Sequence, residues 1–115
     1  MLRVGDVMQC LTSMEELDKE VLENPMLLVY SSGGMCSVCT VLKGKVKIMM
    51  HKYPKMKAVE IDGDEHPEIT SQLSIFTLPA IAIYINGKEV LREARNISLE
   101  LLDEKISRLY DLLYN

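Results

Sequence analysis

The sequence predicts a single α/β domain over residues 1–115, with a central mixed β-sheet and helices on both faces. Three observations carry that reading. Apolar runs of strand length alternate with segments of helical period, the order that builds parallel pairing. An Asn-Gly pair between β-rich arms near the end demands an antiparallel hairpin. A 115-residue chain that is 48% hydrophobic and 26% charged suits one globular core without staples.

Each element has its own signal. Val7 to Leu11 is a short apolar strand candidate. In "TSMEELDKEVLEN", Thr12 or Ser13 can cap a helix, with Glu15 or Glu16 three residues on completing a capping box. Met14, Leu17 and Val21 share a face, and Asn24-Pro25 stops the helix. Met26 to Ser31 is a continuous apolar run, as in a strand covered on both sides. Past a glycine turn, Val38, Leu42, Val46, Met49 and Tyr53 recur at helical steps, ending before Pro54. Ala58 to Asp62 reads as a third strand. Asp64 to His66 can cap a short helix with Pro67 in its first turn. "TLPAIAIYINGKEVLRE" is a hairpin about Asn86-Gly87. Ser98 caps a last helix with a stripe of Leu102, Ile106, Leu109 and Leu113. The order is β-α-β-α-β-α-β-β-α.

Composition narrows the function. Trp is absent and there is one Phe, so the eight methionines and the aliphatic residues fill most of the interior. A net charge of −4 speaks against nucleic-acid binding, and a solvated helix face explains most of the lysines at 43, 45, 47, 52, 55 and 57. No apolar run has the length of a membrane span, and "MLRVGDVMQC" does not read as a signal peptide. The expected compartment is the cytoplasm, where stable disulfides are rare, so three cysteines suggest chemistry or metal rather than a framework.

The motif "GGMCSVC", residues 33–39, lies between the second strand and its helix. By itself a Cys-x-x-Cys could hold a metal, close a structural disulfide or exchange electrons. Zinc would need Cys36, Cys39 and two ligands from Cys10, His51 and His66, which lie on separate elements without paired spacing. Cys10 reads as a small core residue, His51 as a cation late in a helix and His66 as a helix cap. No metal is expected.

Taken in order, the Cys-x-x-Cys after the second strand, "TLP" opening a later strand, the Asn-Gly hairpin and the terminal helix resemble the thioredoxin family. The resemblance covers nearly the whole chain and implies a thioredoxin-like fold and a protein-disulfide reductase. Cys36 just ahead of the helix, where the dipole favours an anion, would be the attacking thiolate. Cys39, on the side of Leu42, Val46 and Met50, would face the core and resolve the mixed disulfide. The resemblance further implies a cis Pro79 aiming the backbone of Leu78 at a bound client, with Met35, Ser37 and Ala94 completing the client surface. From sequence alone, Pro79 is a strand starter.

Several residues depart from the family pattern. Met35 stands where the family has Trp, Ser37-Val38 where it has Gly-Pro, and Gly44 where it often has proline. Its glycine after the hairpin aligns with Ala94, and its buried Asp falls at Val29 or Tyr30. Glu60, aligned with a family lysine, is a proposed proton acceptor for Cys39; a solvated strand glutamate is the simpler expectation. The alternative is a binding module of the same fold whose rim, Met35, Leu78 and Ala94, docks a partner without redox turnover. No nucleotide-binding glycine motif occurs, so no cofactor is expected and electrons must come from a reductase or a small thiol. Expected partners are disulfide-containing client proteins; the chain is expected to be a monomer, off nucleic acid and membrane.

Overall fold

The computed structural model describes residues 8–34 and 37–114, the side chain of Ser37 excepted. The elements follow the predicted order: β1 (Gln9–Leu11), α1 (Met14–Glu23), β2 (Met26–Ser32), α2 (Ser37–Met50), β3 (Lys57–Asp62), α3 (Pro67–Gln72), β4 (Ala80–Ile85), β5 (Lys88–Ala94) and α4 (Leu99–Tyr114). Val7, expected to open the first strand, lies outside the described residues. The five strands form one mixed sheet in the order β1-β3-β2-β4-β5. β1 and β2 run parallel to β3, while β4 runs antiparallel to β2 and β5.

Local chemistry explains the boundaries. Ser13 is the cap of α1, its hydroxyl accepting from Glu16 N–H at 3.1 Å. Glu16 reaches back past the cap to accept from the Thr12 N–H at 3.1 Å and the Thr12 hydroxyl at 2.7 Å, a shifted form of the expected capping box. Asn86 and Gly87 take φ of 49° and 86°, as a two-residue turn of this type requires. Ser98 receives the Leu101 N–H at 3.4 Å and its carbonyl receives that of Leu102. His66 sits at the cap position of α3 but makes no side-chain cap bond; its ring faces Glu68 instead.

Two apolar layers enclose the sheet. One face carries Leu11, Leu27, Val29, Val59 and Ile61 against α1 and α3. The other carries Met26, Leu28, Tyr30, Ala58, Ile81 and Ile83 against α2 and α4. The buried side of α2 is Cys39, Leu42, Val46, Met49 and Met50. Val38, expected on that side, is 61% exposed. The stripe begins at Cys39, because at 100° per residue Val38 falls on the helix flank. The helix itself stops at Met50, and turn bonds carry the chain to buried Tyr53.

Candidate active site

The motif leaves the C-terminal end of β2, and the neighbouring strands fix what surrounds it. Register pairs Ser31 with Ala80 and Ala80 with Ala94, so the end of β2, the start of β4 and the end of β5 lie side by side. The Leu78–Pro79 peptide is cis. Leu78 packs over the turn after β2: a methyl group on Gly33 would lie 3.0 Å from its Cδ1, and one on Gly63 would lie 3.1 Å from it. The same methyl on Gly33 would lie 2.8 Å from a carboxylate oxygen of Asp64. A side chain at either glycine would have to push the tip of Leu78 aside, and at Gly63 it would also press on the Ser32 carbonyl at 3.2 Å. Leu78, Pro79 and Ala94, named from the sequence, therefore converge at one end of the sheet. Met35 and Cys36 lie outside the described residues.

Cys39 stands in the first turn of α2, 3% exposed and disulfide-bonded. The sequence placed it toward the core, and its burial agrees. Tyr30, directly beneath, is fully buried and its hydroxyl donates to the Cys39 carbonyl at 2.5 Å. Of the two residues aligned with the family's acid, Val29 thus points into the opposite layer and Tyr30 toward Cys39. Burial first, then the charge of Glu60, pushes the Tyr30 phenol up to about 12. It stays neutral and remains a hydrogen-bond donor through the physiological range.

Glu60 corrects one expectation. It is buried, 6% exposed, rather than a solvated strand residue. Cross-strand register places it between Cys10 and Tyr30. Its Oε1 accepts from Lys43 Nζ of α2 at 2.8 Å and from Cys10 Sγ at 3.2 Å. Burial of a carboxylate is tolerable because it has these partners. Cys10 corrects another. It is an exposed free thiol on the edge strand, not a core residue. The hydrogen bond to Glu60, with partial burial and the carboxylate charge, holds its pKa above the ordinary value. Such a thiol is a poor nucleophile at neutral pH.

Sequence reasoning missed three contributors. Tyr30 was the most legible, since a Tyr inside an apolar strand must find a partner for its hydroxyl. Arg92 of β5 donates to the Leu73 and Ser74 carbonyls at 2.7 and 3.0 Å, bracing the segment that leads into Leu78–Pro79. Arg95, with φ of 68°, donates its N–H to the Pro79 carbonyl at 3.0 Å. The residue after the hairpin whose backbone would favour glycine is thus Arg95, next to Ala94. No local signal in the sequence marks either arginine.

The thioredoxin family model matches residues 8–108. The chain belongs to the thioredoxin family. It is 30% identical over 102 residues to the thioredoxin-like protein YdfQ of Bacillus subtilis, covering 89% of this chain and 91% of that one. It is also similar to thioredoxin 1 of Plasmodium falciparum, 28% identical over 86% of this chain and 97% of the relative. Among solved structures, oxidised mitochondrial thioredoxin 3 of Saccharomyces cerevisiae superposes with a TM-score of 0.81 at 18% identity, over 92% of this chain and 99% of that one. Plasmodium falciparum thioredoxin superposes with a TM-score of 0.76 at 27% identity, over 84% and 97%. The thioredoxin fold is therefore established, and with family membership comes a thioredoxin-like redox function in general.

The tyrosines of this chain make a testable pH dependence. Tyr30 titrates near 10 when unfolded and at about 12 when folded. A phenol whose folded pKa is raised contributes stability that is fully present below about pH 10 and is lost as pH rises toward 12. Burial also raises Tyr53 and Tyr84 in the same direction. Denaturant titrations at pH 9 and pH 11.5 should differ by about 2 kcal/mol from Tyr30 alone. In Tyr30→Phe that part of the slope should vanish; an unchanged slope would place the titration elsewhere.

Proposed function

We propose that this member of the thioredoxin family is a thiol–disulfide oxidoreductase acting on protein disulfides through Cys36 and Cys39. The reading rests chiefly on Cys39, a disulfide-bonded cysteine buried in the first turn of α2, at the sheet end where Leu78, Pro79 and Ala94 converge. Cys36 thiolate attacks one sulfur of the client disulfide, and the other leaves as a thiolate that takes up a proton. Cys39 then loses its proton and attacks Cys36, releasing the second client thiol. Two electrons and two protons pass to the client, and a Cys36–Cys39 disulfide remains. A reductase or a small thiol returns the electrons. Met35, Ser37, Leu78, Pro79 and Ala94 form the surface on which the client cysteine lies.

Cys39 must be deprotonated in an apolar setting that raises a thiol's pKa. Glu60 is the group we assign as acceptor. It is buried on the sheet face that α2 covers, in register with Tyr30 beneath Cys39, and Lys43 fixes its carboxylate. Glu60→Gln keeps the shape and removes the base. It should slow client release by about tenfold or more while leaving the first attack unchanged. Rapid-mixing measurement of the two phases decides this; equal effects on both would remove Glu60 from the reaction. The activity itself is tested by disulfide reduction with and without a thioredoxin reductase. Strong binding of disulfide proteins without turnover would instead favour the binding-module reading.

A further inference from the structure

One flank of α2 presents apolar side chains to solvent. Val38 and Val41 are each 61% exposed and Ile48 is 72% exposed. At 100° per residue these three and Lys45 fall within an arc of about 80°. β-Branched residues at solvent positions weaken a helix slightly, and here they add nothing to the core. The stripe starts beside Cys39 and runs about 15 Å along the helix. It ends at a groove of about 310 Å³ between α2 and the first turn of α4, lined by Ile48, Met49 and Leu99. Lys45, Glu100 and Asp103 also line it, and Asp103 is paired with Lys52. Lys45 has no ion-pair partner among the described residues, and α2 carries no acidic residue.

We propose that this flank is a docking track for the polypeptide next to the client's reacting cysteine. The occupant is an extended apolar segment of the client with an acidic residue facing Lys45. Its place follows from continuity, because the track begins at Val38, two residues after Cys36, whose thiolate the proposed function sets against the client disulfide. An extended chain covers 15 Å in about five residues, so an apolar side chain that far from the cysteine reaches the groove at Ile48 and Leu99. A track of this kind selects clients by flanking sequence and leaves the exchange chemistry untouched. The inference rests on the oxidoreductase reading.

Three probes test it: a cyclic disulfide peptide with six-residue flanks of Leu and Glu on both sides, the same peptide with Gly-Ser flanks, and bis(2-hydroxyethyl) disulfide. The wild type should reduce the Leu/Glu peptide with a kcat/KM about tenfold above the Gly-Ser peptide. Ile48→Ser and Val41→Ser should each erase most of that preference, and Lys45→Glu part of it. All three should reduce bis(2-hydroxyethyl) disulfide at the wild-type rate. Equal kcat/KM for the two peptides, or variants that slow all three probes alike, would overturn the track while leaving the oxidoreductase reading standing. A wild type inert toward every probe would remove both.

Discussion

Cys36→Ser should stop disulfide reduction, lowering turnover by about 10³-fold or more, because no other thiol can take the first step. Cys39 is buried, and Cys10, though exposed, is held in its thiol form by Glu60. Cys39→Ser should behave differently. The attack still occurs, but the mixed disulfide has no resolving thiol and client proteins accumulate on the enzyme. Gel mobility without reductant, followed by peptide mapping, separates the two variants. Clients trapped through Cys39 in the Cys36→Ser protein would reverse the roles. Alkylation of the reduced wild type gives an independent check. Cys36 should react first and Cys10 slowly despite its exposure, with Cys39 last. A Cys10 that reacts fastest would contradict the role of Glu60 as its hydrogen-bond acceptor.

Lys43→Met should cost the fold more than an ordinary surface change. It strands Glu60, whose side chain is only 7% exposed and whose remaining partner is the Cys10 thiol. Breaking a fully buried pair costs about 3–5 kcal/mol. The Lys43 end is 35% exposed, so water screens part of the interaction and a loss of about 1–2 kcal/mol is expected. Thermal unfolding should fall by about 5–10 °C. The double variant Lys43→Met/Glu60→Leu should recover most of that loss, since it removes the orphaned charge together with its partner. Additive losses in the double variant would mean that Lys43 acts through packing of its aliphatic stem instead. Together with Glu60→Gln, the cycle separates the structural weight of the carboxylate from the proton transfer proposed for it.

The sequence by itself determined the element order, the hairpin and the mixed sheet. Their signals are local: a capping Ser13 with Glu16, positive φ at Asn86-Gly87, continuous apolar strands, and a stripe of Leu102 and Ile106 in α4. Each is a property of residues a few positions apart, and backbone geometry translates it directly. The inward placement of Cys39 was legible for the same reason, since Leu42, Val46 and Met50 define the face it shares. The order and spacing of the motifs also carried the family. What only the tertiary structure decided are pairings across the sheet. Glu60 looked like a solvated strand residue because alternation tells which side it faces, not whether a helix covers that side. α2 covers it, and Lys43 and Cys10 make its burial tolerable. Cys10 looked like core because short strands read as apolar, yet β1 lies at the edge of the sheet and Cys10 stays exposed on it. The contacts of Tyr30 with Cys39, of Leu78 with the glycine turns, and of Arg92 with Leu73 join residues brought together only by strand register and helix docking. A one-dimensional pattern holds no record of those distances, and they are what gives the site its shape.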